Sequence, residues 1–157
     1  EKNELGRILG KYALKIEHFG STAIPNILAK PTIDILVEIP NDNEIKDEII
    51  HKMKSQNYYF VLRNDRHPPY IMFIKGILTK EVKAPTYHIH MGEKEHGNLW
   101  DRLYFRDYLK DNPKLAQEYE NLKKELAKKY KNDRDAYTEG KTEFVLKITK
   151  EAKKRYS

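Results

Sequence analysis

With 157 residues, 39% hydrophobic, 34% charged and none cysteine, the chain has the size and composition of one globular domain, which excludes a disulfide scaffold, a thiolate metal site and a disordered tract. No apolar run approaches the roughly 20 residues that cross a bilayer and no signal-peptide pattern opens the chain, so neither a membrane partner nor export is expected. Residues 1–109 carry 16 basic against 15 acidic side chains and residues 110–157 carry 14 against 9, so the net charge of +6 lies mostly on a lysine-rich C-terminal segment.

The recurrence of Leu5, Ile8, Leu9 and Tyr12 predicts a helix over residues 5–13. Residues 14–19 alternate and read as a strand, followed by Gly20, Ser21 and Thr22 and a loop with Pro25 and Asn26. The clearest strand is 32–39, where Ile33, Ile35, Val37 and Ile39 face one way and Asp34, Leu36 and Glu38 the other. Pro40 ends it, and Asn41 or Asp42 offers the N-cap of a helix carrying Ile45, Ile49 and Met53. Residues 58–62 and 70–74 are β-rich, separated by a polar turn with Pro68 and Pro69, and 75–85 reads as a loop or hairpin. Residues 86–91 alternate again, with His88 and His90 on one face. From Asn98 the pattern turns helical: Trp100, Leu103, Tyr104 and Tyr108 form a stripe that stops near Asp111. Pro113 opens a second helix, with Asn112 as its cap and Leu115, Tyr119, Leu122 and Leu126 along its seam. A polar break at Asn132 and Asp133 precedes a last helix with Phe144, Val145, Ile148 and Ala152. The expected plan is an α+β (α/β) fold over residues 1–157, a mixed β-sheet flanked by helices with a helical C-terminal part. The opening at Glu1 rather than Met raises the expectation of an N-terminal segment before residue 1, and the absence of cysteine suits a cytoplasmic setting.

Chemistry concentrates on a few residues. A Gly after a strand lets backbone approach a ligand closely, and the Ser that follows can hold a phosphate through its hydroxyl and N–H, so Gly20 and Ser21 are a candidate phosphate cradle. Many turns contain such a pair, and the stronger signal is Asp34, an acid set between Ile33 and Ile35 and separated from Ser21 by twelve residues. Buried unpaired it would cost several kcal/mol, so it is expected at a cleft, on a cation, or hydrogen-bonded; a solvated sheet face is the competing reading. His88 and His90 project together from a strand that could neighbour it. Two imidazoles and a carboxylate suit Zn²⁺, Mn²⁺ or Fe²⁺ better than Mg²⁺, or a histidine could serve as base or phosphate contact. Glu17 and His18 alternate faces, so at most one of them joins Asp34. Arg106 could grip phosphate bidentately or make a helix-surface ion pair. Lys30 and Lys141 are further candidate phosphate contacts, although a single lysine among 30 basic residues says little. The C-terminal basic surplus is interleaved with acids and reads first as a solvated helix face.

The stretch Glu17-His18-Phe19-Gly20-Ser21-Thr22-Ala23-Ile24-Pro25, then Ala29-Lys30-Pro31-Thr32-Ile33-Asp34-Ile35, resembles the signature of the GrpB-like proteins. The likeness continues through His88-Ile89-His90, Phe105-Arg106-Asp107-Tyr108-Leu109 and Ala136-Tyr137-Thr138-Glu139 with Lys141, and so covers nearly the whole chain. Asn26 departs from it, standing where the family usually has Gly. The resemblance implies a nucleotidyltransferase-like fold, and through members fused to dephospho-CoA kinase a link to coenzyme A synthesis. Enzymes of that wider superfamily carry Gly-Ser or Gly-Gly, then a strand with acid-x-acid and a third acid on a later strand, because paired carboxylates hold Mg²⁺ against a triphosphate. Here Asp34 fills the first position and Leu36 the second; Glu38 lies roughly 13 Å further along the strand, too far to share a metal with Asp34. The resulting expectation is a divergent nucleotidyltransferase-type domain that binds a nucleoside triphosphate or phosphorylated metabolite with a divalent metal (Mg²⁺, Mn²⁺ or Zn²⁺). In it Asp34, His88 and His90 act as metal ligands and catalytic groups, and Gly20, Ser21, Thr22, Lys30, Arg106 and Lys141 contact phosphate. The alternative is a non-catalytic module using the same cleft. A metal-dependent phosphoester hydrolase is less supported, and a nucleic-acid partner ranks last.

Overall fold

The structure, a computed structural model, describes residues 1–64, 69–76 and 85–156. Helix α1 spans Lys2–Leu9 and passes through a short 3-10 turn, Gly10–Tyr12, into strand β1, Lys15–Phe19. The predicted helix over 5–13 stops short because Gly10 takes a positive φ of 54°, which breaks the α-helical backbone. A second 3-10 turn, Ser21–Ala23, leads towards β2, Thr32–Glu38. Helix α2, Asn43–Ser55, starts at Asp42, whose carboxylate accepts from Ile45 N at 3.0 Å. Strands β3, Tyr59–Arg63, β4, Tyr70–Lys75, and β5, Thr86–Gly92, follow. The turn through Pro68 and most of the loop expected at 75–85 lie outside the described residues.

Helices complete the chain: α3, Gly97–Asp111, α4, Pro113–Lys129, α5, Arg134–Glu139, and α6, Thr142–Tyr156. Two details differ from the sequence expectation. Asn112 does not cap α4 with its side chain; its Nδ2 donates back to Tyr108 O at 2.7 Å, so it closes α3 while Pro113 starts α4 unaided. The polar break at 132–133 is itself the start of α5, whose N-terminus Asp133 caps by accepting from Ala136 N at 2.9 Å. No helix among the described residues is long and apolar enough to cross a membrane.

The five strands form one mixed sheet in the order β1-β2-β5-β4-β3, antiparallel except for the central β2–β5 pair. Alternation sorts the two faces. Ile35, Val37, Ile71, Phe73, Ile89 and Met91 turn towards α1 and α2, where Leu5, Leu9, Ile49 and Met53 complete a core. Phe19, Leu36, Tyr70 and Met72 turn the other way and pack on Leu99 of α3. A third cluster, with Phe105, Leu109, Ala116, Tyr119 and Ile148, joins α3, α4 and α6 and takes in Ile24 from the loop after β1. The helical part thus stands over the second sheet face, and a cleft is left between them.

Candidate functional site

Strand register explains how distant residues meet. Parallel pairing places His88 opposite Asp34 and His90 opposite Leu36, while antiparallel pairing places Phe19 opposite Asp34. All of these project towards the helical part. Asp34 Oδ1 lies 3.6 Å from His88 Nδ1 and 3.8 Å from His90 Nε2. One ligand atom from each of the three residues lies within 4.8 Å of the others. Burial, the largest influence on Asp34, would raise its pKa; the two imidazoles outweigh it and hold the carboxyl at about 2. Asp34 is therefore a carboxylate throughout the physiological range.

Gly20 approaches this carboxylate closely. Its backbone sits at φ 74° and ψ −173°, a region that glycine tolerates and L-residues avoid. A Cβ built there would lie 2.4 Å from Asp34 Oδ2. Above Asp34 opens a cleft of about 690 Å³, whose walls include Gly20, Ser21, Arg102, Tyr119 and Lys141. That volume suits a small-molecule ligand. Burial and the nearby Lys30 ammonium lower the Lys141 pKa, partly offset by Asp34, so an anion in the cleft would relieve both penalties.

The other candidates divide. Lys30 sits apart from the main cleft, lining a pocket of about 180 Å³ with Ser21 and Tyr137; its Nζ is 5.6 Å from the centre of the Tyr137 ring, and Lys141 Nζ is 4.4 Å from the same ring. Thr22 is used locally: its Oγ1 contacts His18 Nε2 at 2.9 Å and donates to Thr32 O at 3.3 Å. Arg106 is committed elsewhere, donating to Glu17 Oε2 at 2.9 Å, to His18 O at 2.7 Å and to both Asp107 oxygens, so that it ties α3 to β1. It does not line the cleft. Glu17, opposite Leu36 on the Asp34 face, is thus occupied by Arg106, and His18 lies in register with Ile35 on the other face.

Two residues that sequence reasoning missed complete the centre. Arg102 Nη1 donates to His90 Nδ1 at 3.1 Å and Nη2 donates to Tyr70 Oη at 3.1 Å, while Tyr70 Oη lies 3.0 Å from His90 Nδ1. The available signal was weak: Arg102 precedes Arg106 by one helical turn, and Tyr70 only begins a β-rich run. As a donor set, Asp34, His88 and His90 fit a divalent cation that takes imidazole ligands readily, such as Zn²⁺ or Fe²⁺. The observation behind the fit is the convergence of two ring nitrogens on a stable carboxylate that itself lines the cleft.

His90 also carries a prediction. Burial, reinforced by Arg102 and His88 and opposed by Asp34, lowers its pKa from 6.5 to about 4. The unfolded chain therefore takes up this proton first as pH falls, so stability is full above about 6.5 and declines towards pH 4. Asp34 stays ionised across that window, and the other groups facing the ring are His88, Tyr70 and Arg102. With a chelator present, wild type is expected to lose about 2 kcal/mol more stability between pH 7 and pH 5 than His90→Gln. Urea unfolding at the two pH values measures it; identical losses in both proteins refute the assignment.

Comparison with known proteins agrees with this architecture. The GrpB protein family model matches residues 1–151. The chain is 39% identical over 152 residues to the glutamate-rich protein GrpB of Alkalihalophilus pseudofirmus, covering 96% of this chain and 86% of that protein. It is 33% identical to the UPF0157 protein YqkA of Bacillus subtilis, covering 98% of this chain but only 43% of that longer protein. Among solved structures, GrpB from Enterococcus faecalis superposes with a TM-score of 0.84 at 33% identity, over 99% of this chain and 89% of that one. The Cid1 poly(U) polymerase superposes with a TM-score of 0.58 at 16% identity, over 88% of this chain and 45% of that one, a likeness of fold alone. The sheet and its helical cover are thus nucleotidyltransferase-like. On the family model and these relatives together, the chain belongs to the GrpB family.

Proposed function

We propose that this chain binds a nucleotide, or another phosphorylated small molecule, in the cleft above Asp34, and that with a nucleoside triphosphate it transfers the nucleotidyl group to an acceptor hydroxyl, whose oxygen bonds to the α-phosphorus as pyrophosphate leaves. The observation that carries the reading is the convergence of Asp34, His88 and His90 beneath a cleft that also receives Gly20, Ser21, Arg102 and Lys141. Gly20 gives backbone access beside the carboxylate, Ser21 offers a hydroxyl, and Arg102 and Lys141 supply positive charge for phosphate oxygens. A divalent cation on Asp34, His88 and His90 would neutralise charge on the phosphates. The test is label transfer from radiolabelled nucleoside triphosphates with Mg²⁺ or Mn²⁺ and a cell extract as acceptor source, wild type against Asp34→Ala. Transfer is expected from wild type and to fall at least about 100-fold in the variant; undiminished transfer by Asp34→Ala sinks the role given to that residue.

One observation favours a second reading. Leu36, fully buried, stands where the superfamily pattern has its second acid. A non-catalytic module would use the same cleft for binding without turnover. Saturable binding of a triphosphate, without transfer under any metal, decides for the module.

A further inference from the structure

His90 faces Asp34 through Nε2 and turns Nδ1 away, onto Arg102 and Tyr70. A guanidinium donates and never accepts. With Arg102 Nη1 3.1 Å away, Nδ1 is an acceptor and the proton of the neutral ring sits on Nε2, towards Asp34. A cation held by Asp34, His88 and His90 needs the Nε2 lone pair instead. The ring proton then belongs on Nδ1, where Tyr70 Oη, 3.0 Å away, can accept it, the outer-shell bond that metal-bound histidines ordinarily make. The ring is neutral in both arrangements, so no proton is gained or lost. What changes is Arg102: its Nη1–H now meets an N–H and has to leave.

The structure gives the guanidinium somewhere to go. Arg102 lines the cleft together with Ser21 and Lys141. Its guanidinium carbon is 5.4 Å from the Phe19 ring centre and 5.5 Å from the Tyr70 ring centre, so it can turn while keeping aromatic contact. A phosphate-like anion in the cleft would offer it a charge-assisted partner in exchange for a neutral ring nitrogen.

We propose that Arg102 couples the two halves of the site. Docked on His90 it opposes cation binding; drawn into the cleft by a tetrahedral dianion it releases His90 Nε2 to the metal, so that cation and anion bind cooperatively. This rests on the reading that Asp34, His88 and His90 hold a cation. Arg102 and Tyr70 are positioning residues that act through His90, and they act with opposite signs. Arg102 disfavours the metal-ready ring, and Tyr70 supports it.

The experiment is Co²⁺ titration by calorimetry and visible absorption, in chloride and in sulfate at matched ionic strength. Sulfate serves as the tetrahedral dianion, and the proteins are wild type, Arg102→Met and Tyr70→Phe. Wild type is expected to bind Co²⁺ about tenfold more tightly in sulfate than in chloride. Arg102→Met is expected to bind about tenfold more tightly than wild type in chloride and to lose the sulfate response; Tyr70→Phe is expected to bind more weakly than wild type in both. General damage to packing would weaken both variants, so tightening in Arg102→Met separates positioning from structure. Equal or weaker binding by Arg102→Met in chloride, or an unchanged sulfate response, overturns the coupling alone. Failure of wild type and Arg102→Met to bind Co²⁺ at all overturns the cation site and the coupling with it.

Discussion

Replacing Leu36 by Asp, which would complete the acid-x-acid pattern beside Asp34, is expected to unfold much of the protein rather than to improve a metal site. Leu36 is fully buried and packs with Phe19, Tyr70, Met72 and Leu99. Removing a buried leucine side chain costs about 3–5 kcal/mol, and a carboxylate set in its place adds desolvation that Arg102 and His90 could only partly offset. A net loss of about 4 kcal/mol or more is a large part of the 5–15 kcal/mol that holds a typical domain together. Leu36→Asn serves as the uncharged control and should be the less damaging of the two. Urea unfolding measures both. A folded Leu36→Asp protein of near wild-type stability, with tighter Mg²⁺ binding, would show instead that this position belongs to the site. The physical reading of Leu36 is that α3, through Leu99, covers this point of the sheet, and that His90 on the neighbouring strand supplies the polar group beside Asp34.

Most of the scaffold was legible in the sequence because its elements follow one rule each. Alternation in 32–39 and 86–91 gave the two central strands and the faces of Asp34, His88 and His90, and register then brought the three together. Capping residues fixed the start of α2. Helix α5 was missed because six residues are too few for an apolar stripe, leaving only Asp133 as a sign. Side-chain commitments were the least legible. Arg106 and Lys141 are both basic residues on or beside helices, yet Arg106 spends its donors on Glu17, His18 and Asp107 while Lys141 lines the cleft. Arg102 and Tyr70 matter through contacts made across strands and helices distant in the chain, and neither local pattern nor spacing encodes such contacts.

Gly20→Ala is expected to lower stability by roughly 2–4 kcal/mol and to abolish cation binding, for two separable reasons. The first is backbone: φ 74° with ψ −173° is strained for any L-residue. The second is contact: the new methyl would lie 2.4 Å from Asp34 Oδ2 and 3.1 Å from its Cγ, so the carboxylate has to swing away from His88 and His90. A double-mutant cycle with Asp34→Ala separates them. Truncating Asp34 removes the contacts with Oδ2 and Cγ and leaves the strain and a 3.2 Å approach to the retained Cβ, so Gly20→Ala should cost about 1 kcal/mol less in the Asp34→Ala background than in wild type. Costs that simply add would mean that glycine serves the turn alone. Non-additivity, together with lost Co²⁺ binding in Gly20→Ala, would mean that the chain keeps glycine here so that the loop after β1 and the Asp34 carboxylate can touch.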